Sequence, residues 1–327
     1  MSRYQPPFQL NNAMLGRVAD IAEWLGRWKQ VHREGLVPQL RRGNRIRTIQ
    51  ASLAIEQNTL SLEQVTAVLD GKPVIGLPRE IQEVRNAFAA YEAMPSWAPE
   101  SQDDLLAAHG LLLKGLADDA GRLRAGGVGI YQGRELVHMA PPAGRLPRLM
   151  ADLLAWLAAT DAHPLIASSA VHYELEFIHP FSDGNGRIGR LWQTLILSRW
   201  QPMLAYLPVE SVIKARQEDY YRALGEADRL SDCSGFIVFM LEALLDALRE
   251  AVAGETRVKT PVKTRVKTPE RIVEALRVDA GLTLAGVAEA LGLSLSAVER
   301  AAAKLRQEGR LRYVGPKKGG HWEVTES

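Results

Sequence analysis

Most of the chain repeats apolar residues with the period of an α-helix. Four segments place them three or four positions apart, which is the spacing of a helix that packs on one side: 105–116, 146–158, 166–178 and 236–251. Residues 126–138 break this pattern, because they are rich in Gly and in β-formers, with Gln132 and Gly133 at their centre. That stretch predicts a short β-hairpin. We therefore expect a mainly α protein with one hairpin.

The clearest boundary lies at 257–269, where Val-Lys-Thr occurs three times among two prolines and five basic residues. Such a segment cannot bury a core and predicts an extended linker. The chain then divides into an N-terminal helical region at 1–100, a core region at 101–254, a basic linker at 255–268 and a C-terminal domain at 269–327.

The C-terminal domain predicts three helices followed by two strands. Helical spacing covers 269–277, 284–291 and 297–307, and the strands fall at 311–314 and 321–324, on either side of a basic, Gly-rich tip. This arrangement resembles a winged-helix domain.

A winged helix that binds DNA places its third helix in the major groove and its wing near the backbone. Ser294, Ser296 and Arg300 would then lie near bases, and Lys317 and Lys318 near phosphates. Winged helices also bind proteins, so DNA and protein both remain candidate partners of this domain.

Composition and charge agree with a soluble globular protein in two parts. Apolar residues make up 46% and charged residues 24%, which excludes a wholly disordered or collagen-like chain. The formal net charge is only +2. From Glu255 onward, however, 14 Lys and Arg residues face nine Asp and Glu residues, so the end of the chain is basic and the rest is mildly acidic. This asymmetry predicts two different tasks.

The expected compartment is the cytoplasm. A single cysteine, Cys233, cannot form a disulfide within the chain, so nothing points to an oxidising environment. The first residues lack the apolar stretch of a signal peptide. No apolar run approaches the ~20 residues that cross a bilayer, and we expect no membrane partner.

One stretch concentrates groups that handle phosphates. Residues 179–190 read His-Pro-Phe-Ser-Asp-Gly-Asn-Gly-Arg-Ile-Gly-Arg and lie between two predicted helices. Gly184 and Gly186 on either side of Asn185 allow a tight turn of the backbone, and the helix that follows offers unpaired N–H groups at its start. Such a loop predicts a nest for an anion.

Four charged or titratable side chains surround that nest. Arg187 and Arg190 lie three apart and share one helix face, so both can contact one polyphosphate. Asp183 is a hard oxygen ligand suited to Mg²⁺, and a neutral His179 can accept a proton. Together these residues predict phosphoryl transfer. A capped helix with surface arginines would explain each residue singly. No Gly-Lys-Ser/Thr occurs in the stretch, which excludes an ordinary Walker loop.

The stretch matches in full the motif of Fic-domain proteins, His-Pro-Phe-x-Asp-Gly-Asn-Gly-Arg-x-x-Arg, and the resemblance extends over roughly residues 4–250. It implies a helical core with one β-hairpin. It also implies transfer of AMP from ATP, with Mg²⁺, to a Ser, Thr or Tyr hydroxyl of a protein. A homodimer and self-modification are further expectations from this family.

The resemblance assigns roles to single residues. His179 would deprotonate the target hydroxyl, and Asp183 would hold Mg²⁺ between the α- and β-phosphates. Arg187 would contact the β-phosphate and Arg190 the γ-phosphate. The whole expected ATP-binding set is Gly184, Asn185, Gly186, Arg187, Ile188, Gly189, Arg190, Tyr220 and Tyr221. The two tyrosines suit a plain core or surface position equally well.

The hairpin at 128–137 stands where this family has a flap. An exposed strand edge can hold an extended target segment by main-chain hydrogen bonds, and the candidate residues are Val128, Gly129, Ile130 and Tyr131. A hairpin that merely closes the core is the alternative.

An inhibitory helix is expected upstream. Ser52 and Glu56 match the family pattern Ser/Thr-x-x-x-Glu-Gly/Asn, whereas Gln57 departs from it. Physically, a carboxylate paired with Arg190 would occupy the donors that a γ-phosphate needs.

Two alternatives to AMP transfer remain. The same fold could remove AMP from a modified protein or transfer another phospho group. The second alternative is a protein of a different class, a DNA-binding transcriptional regulator whose Fic core senses nucleotide.

Overall fold

A computed structural model describes residues 4–32, 35–132, 135–259, 268–291, 293–316 and 321–325. Contacts between Cα atoms divide the chain into two compact units, 1–254 and 255–327. Within the described residues no helix combines the length and the apolar character that crossing a membrane requires.

The first unit is built from helices and one antiparallel hairpin. The hairpin pairs β1, Gly129–Gln132, with β2, Glu135–Met139, and its register shifts between Ile130 and Tyr131. The helices are α1 Asn12–Val31, α2 Pro38–Ile55, α3 Leu62–Leu69, α4 Pro78–Ala93, α5 Gln102–Leu112, α6 Leu146–Ala159, α7 Pro164–Ile178, α8 Asn185–Trp200, α9 Val209–Ala215, α10 Gln217–Leu230 and α11 Ser234–Lys259. The mainly α fold with a hairpin is confirmed.

Helices α7 and α8 form the centre of this unit and pack most extensively against each other. Almost every residue of α7 is buried, polar ones included. Pro164 suits its first turn because the fixed φ of proline matches a helix and its missing N–H is not needed there. One hydrophobic core runs from Met14 to Leu248. Helices on both sides of residue 100 therefore share it, and no break in packing separates the predicted regions 1–100 and 101–254.

The predicted helices lie where expected, with two differences at their ends. Helix α5 ends at Leu112, earlier than the predicted 116, and Gly115 follows with φ +71°. Helix α11 continues to Lys259, past the predicted end at 251 and into the predicted linker. The rest of that linker, 260–267, lies outside the described residues.

Helix α2 is fixed at its C-terminal end by two side chains from other helices. Lys214 Nζ donates to the carbonyl of Ala54 at 2.8 Å, and Gln217 Nε2 donates to that of Ile55 at 3.1 Å. These carbonyls have no partner within the helix, so the two contacts cap it. Gln57, two residues after the end of α2 at Ile55, has φ +68°. This is a left-handed conformation, which glycine or asparagine adopts at less cost.

The second unit is a winged helix. It contains α12 Thr268–Val278, α13 Leu284–Leu291 and α14 Leu295–Gln307, followed by β3 Leu311–Val314 and β4 His321–Val324. The two strands pair antiparallel, and a separate core includes Ile272, Val298 and Trp322. Gly309 with φ +71° ends α14. The predicted winged-helix architecture is confirmed, with both strands at their expected positions.

Candidate active site

The loop between α7 and α8 is held by unusual backbone conformations and one asparagine. His179 ends α7 with φ +49°, and Gly184 starts α8 with φ +84°. A Cβ at Gly184 would lie 2.5 Å from Leu113 Cδ2, so only glycine fits. The Asn185 side chain accepts from Phe181 N at 3.0 Å and donates to Phe181 O at 2.9 Å. The loop is therefore rigid, and Phe181 is buried beneath it.

His179 is poised as a neutral base. Burial lowers its pKa to about 4, so its imidazole is uncharged near pH 7. Its Nδ1 lies 3.3 Å from the carbonyl oxygen of Glu176. Because a carbonyl can only accept, Nδ1 carries the proton and Nε2 keeps a free lone pair. The Arg124 side chain donates from Nε to the His179 carbonyl at 2.7 Å and fixes the backbone there.

Arg187 lies on the first turn of α8 and is paired with acids on both sides. Its Nη2 contacts Asp183 Oδ1 at 2.8 Å, and its Nη1 lies 3.5 Å from Glu83 Oε1 on α4. The side chain of Arg187 is 6% exposed, against 43% for Asp183. The predicted phosphate-contacting arginine and metal ligand are thus neighbours at the entrance of the loop.

Arg190 is buried against the end of α2. Its Nη2 contacts Glu56 Oε1 at 2.7 Å, and it also donates to the hydroxyl of Ser52 at 2.9 Å and to the Ser52 carbonyl at 3.0 Å. The Arg190 side chain is 1% exposed and that of Glu56 is 36% exposed. The expected pair between the upstream acid and the second motif arginine is present in this structure.

The same carboxylate lies over Gly186. A Cβ at that position would collide with Glu56 Oε1 and would lie 3.0 Å from Arg190 Nη1. The close approach places an acidic side chain beside the first-turn amides of α8, which is where an anion binds most favourably. The Glu56 carboxylate therefore lies at the start of α8, where the sequence predicts an anion nest.

Comparison with known proteins decides the family. A crystal structure of a Fic family protein from Desulfovibrio desulfuricans G20 is 52% identical, covers 99% of both chains and superposes with a TM-score of 0.77. This chain belongs to the Fic family. Residues 99–197 match the Fic/DOC family, and residues 265–312 match the family described as winged helix-turn-helix DNA-binding.

Relatives with named activities are more distant. A protein adenylyltransferase Fic from Culex quinquefasciatus is 32% identical over 209 residues, covering 60% of this chain and 39% of that one. Protein adenylyltransferase fic-1 from Caenorhabditis elegans is 33% identical over 202 residues, covering 58% and 37%. The chain spans about two fifths of the length of these relatives.

Three residues of the expected ATP-binding set lie in the interior of this Fic core. Ile188 is fully buried, and its N–H donates to the carbonyl of Gly184 at 3.0 Å. Gly189 faces His172 and Glu176. Tyr220 is 1% exposed, with its hydroxyl 3.0 Å from His172 Nε2. The core therefore surrounds all three residues, and their contact with a nucleotide stays a prediction.

For two other residues of the set, the structure limits which groups could contact a nucleotide. The Asn185 side chain bonds to the Phe181 backbone through both its oxygen and its nitrogen, so only the backbone N–H of Asn185 can face a phosphate. Tyr221 is 48% exposed and receives a hydrogen bond from Gln217 Nε2 at 3.3 Å. It therefore lies beside Gln217, which caps α2, and is partly exposed to solvent.

The hairpin is anchored beside the loop between α7 and α8. In the hairpin, Gly129 pairs with Met139, and Ala140 N donates to the carbonyl of Val128 at 3.1 Å. His138 on β2 contacts Asp228 Oδ2 at 2.7 Å and the Phe177 carbonyl at 2.8 Å. Ile130 and Tyr131 take part in the strand pairing through their backbone. The hairpin is thus tied to the last turn of α7, close to His179.

Asp183 fits Mg²⁺ only together with a nucleotide. Within the described part of the chain, no cluster of three or more His, Cys, Asp or Glu residues could hold a metal. Mg²⁺ is commonly held by one or two carboxylates plus substrate phosphates, and Asp183 supplies one partly exposed carboxylate. Both of its oxygens contact guanidinium groups, those of Arg187 and Arg79, so a metal at Asp183 would have to displace these contacts.

The sequence reasoning missed three residues that shape the site. Arg124 joins the loop to the flap, since it also donates to the carbonyls of Gly126 and Pro141, each at 2.6 Å. Glu176 is a buried acid next to His179 whose pKa is raised to about 7 by burial. Glu83 contacts Arg187 from α4. Glu83 and Arg124 act through contacts distant in sequence, whereas Glu176 lies one helical turn before His179.

In the second unit, three of the five candidate DNA-contacting residues are described and exposed. Ser294, Ser296 and Arg300 are exposed at and after the start of α14, and Arg300 Nε donates to the Ser296 carbonyl at 3.2 Å. Lys317 and Lys318 lie outside the described residues.

Proposed function

We propose that this Fic protein is a protein adenylyltransferase, which moves AMP from ATP to a Ser, Thr or Tyr hydroxyl of a protein. The observation that carries the proposal is the neutral His179, with a free Nε2, at the start of a loop that ends in an anion nest and two arginines. The named activity of the relatives from Culex quinquefasciatus and Caenorhabditis elegans agrees with it.

In the proposed reaction His179 Nε2 takes the proton of the target hydroxyl. The hydroxyl oxygen then forms a bond to the α-phosphorus, and the bond from that phosphorus to the bridging oxygen of pyrophosphate breaks. Pyrophosphate leaves with the electron pair of that bond. Arg187, Arg190 and the first amides of α8 stabilise its negative charge. When bound with the nucleotide, Mg²⁺ would be held by Asp183 and would neutralise charge on the phosphates.

The flap would hold the target segment. Residues 128–131 offer backbone N–H and C=O groups along the outer edge of β1, which can add an extended strand. Because β2 is tied through His138 to the carbonyl of Phe177, a docked segment would lie at a fixed distance from His179. Positioning of this kind supplies a large share of catalysis in group transfer.

Glu56 would keep the enzyme inhibited at rest. It contacts Arg190 at 2.7 Å and lies over Gly186, so a γ-phosphate and the carboxylate compete for the same donors. A nucleotide bound alongside Glu56 would have its phosphates displaced from the line of attack. We therefore assign slow AMP transfer to the parent and faster transfer to variants without this acid.

The test is labelling by position. Purified Glu56→Gly protein with Mg²⁺ is incubated with ATP labelled at the α- or the γ-phosphate, alone and with lysate proteins. We expect label on protein from the α-position and none from the γ-position. The variant that combines Glu56→Gly with His179→Ala should carry no label. Labelling from the γ-phosphate would identify a kinase, and absence of both labels would refute nucleotide transfer.

A second function is proposed for the winged helix, which would bind DNA. The match of residues 265–312 to a DNA-binding family supports it, as do the exposed Ser294, Ser296 and Arg300. Electrophoretic mobility shifts on genomic fragments should show binding that weakens as salt rises, since phosphate contacts release counterions. Binding that is absent at low salt, or that Arg300→Ala leaves unchanged, would refute this role.

A further inference from the structure

Glu83 is an acidic residue of α4 that faces the phosphate end of the site. Its side chain is only 12% exposed. Oε1 lies 3.5 Å from Arg187 Nη1, and Oε2 accepts from Asn58 Nδ2 at 2.8 Å. One carboxylate therefore joins the motif arginine of α8 to the loop that follows Glu56.

Glu83 is one of four side chains that form a closed ring of alternating charge. Arg79 Nε lies 3.4 Å from Glu83 Oε1, and its Nη2 lies 3.1 Å from Asp183 Oδ2. Arg187 contacts Asp183 at 2.8 Å and closes the ring through Glu83. Both groups expected to meet the nucleotide, Arg187 and Asp183, thus have their charges neutralised by α4 in this structure.

The other oxygen of Glu83 fixes the loop behind Glu56. Asn58 is buried, and its side chain also donates to the Glu80 carbonyl at 3.3 Å and accepts from Leu60 N at 3.1 Å. Thr59 N donates to Glu80 Oε1 at 2.6 Å. Helix α4 therefore holds the chain immediately after Glu56 through two carboxylates. The position of Glu56 over Gly186 depends on that loop, since only Gln57 separates Glu56 from Asn58.

We infer that Glu83 is a second inhibitory residue of this site. It is also a positioning residue that couples the occupancy of Arg187 to the position of Glu56. In the resting protein its carboxylate competes with phosphate for Arg187 and fixes the loop that carries the inhibitory acid. A nucleotide that takes Arg187 leaves Glu83 paired with the exposed Arg79 alone, so the Glu83 side chain can follow Arg79 away from Asn58. The inference rests on the proposed function, because it assumes that Arg187 binds a phosphate.

Opening the ring needs little rearrangement. Arg79 and Glu83 are four residues apart on α4, so they remain an ion pair after Arg187 and Asp183 turn to the ligand. Arg79 is 60% exposed and can follow Glu83 without steric hindrance. Arg187, at 6% exposure, has no comparable freedom and must exchange one anion for another. The negative charge of a bound ligand is thus sufficient to displace Glu83 from Arg187.

The experiment measures binding of α,β-methylene-ATP with Mg²⁺ by calorimetry, because this analogue cannot release pyrophosphate. Full-length parent, Glu83→Gln, Glu56→Gly and the double variant form a cycle. Glu92→Gln, an exposed acid on the same helix, is the control. We expect Glu83→Gln to tighten binding about fivefold, which is typical of losing one partly buried competing charge, and Glu92→Gln to change nothing. In the Glu56→Gly background the gain should be clearly smaller.

A second measurement needs no substitution. Hydrogen exchange of peptides covering 56–60 is followed in the parent with and without the analogue. We expect faster exchange when it is bound, because Glu83 then releases Asn58. Unchanged exchange, or an equal gain from Glu83→Gln in both backgrounds, would overturn the coupling. Unchanged affinity of Glu83→Gln for the analogue would overturn only the inhibitory role of Glu83. Failure of every variant to bind the analogue would refute the proposed function as well.

Discussion

Replacing Glu56 by glycine removes the carboxylate that holds Arg190. That carboxylate contacts Arg190 Nη2 at 2.7 Å, and the arginine side chain retains two hydrogen bonds to Ser52. The arginine therefore stays in place but gains a free donor facing Gly186. A nucleotide can then bring its γ-phosphate to that donor, which aligns the α-phosphate for attack.

The expected gain follows from the displacement that Glu56 imposes. A misplacement of about 1 Å costs roughly 10²-fold in rate, so Glu56→Gly should raise the initial rate of AMP transfer about 10²-fold. Without nucleotide the variant should also be less stable. Losing one partner of a buried pair costs about 3–5 kcal/mol, and we expect about 1–3 kcal/mol here, because Glu56 is 36% exposed and Ser52 still binds the arginine.

The assay measures initial labelling from α-labelled ATP in the parent, Glu56→Gly, Glu56→Gln and Glu56→Gly with Arg190→Ala. The glutamine variant keeps the shape of the side chain without its charge, so an intermediate rate separates charge from steric blocking. The gain should vanish in the double variant. If Glu56→Gly is no faster than the parent, or stays fast without Arg190, the inhibitory role is wrong.

Three further results are expected. His179→Ala should lower AMP transfer by about 10² to 10⁴-fold while thermal unfolding and nucleotide affinity stay close to the parent values, and full activity would exclude His179 as the base. Because burial lowers the His179 pKa to about 4, the active neutral form is present above that pH and lost as pH falls through it. The transfer rate in Glu56→Gly should therefore be flat from pH 8 to about pH 5, and a fall centred near 6.5 would contradict the burial argument. Gln57→Gly should relieve the cost of φ +68° and raise the free energy of unfolding in urea by about 0.5–1 kcal/mol, whereas a loss of stability would show that no strain is held there.

Local sequence signals located the loop between α7 and α8 and the side chains that it carries. The motif at 179–190 is contiguous, and its glycines, asparagine and arginines act within one loop and one helix turn. The strands of the wing were also set by local pattern, with turn residues between them. Helix α11 ran past its predicted end because no residue before Pro261 stops a helix.

Contacts between distant elements could not be predicted in the same way. The resemblance placed Glu56, but nothing in the sequence pairs Glu83 with Arg187 or Arg124 with the carbonyl of His179. The sequence also could not show that Ile188, Gly189 and Tyr220 lie in the core. Proximity to the motif says nothing about which helix face meets the core, and packing of α7, α8 and α10 decides that.

The most direct test of the central claim is the mass of the modified protein. Glu56→Gly protein is incubated with Mg²⁺ and ATP, and intact-protein mass spectrometry is combined with a measurement of released pyrophosphate. We expect added mass in steps of one AMP group, one pyrophosphate for each step, and neither product when His179→Ala is also present. An added mass equal to phosphate, or AMP addition that persists without His179, would contradict it.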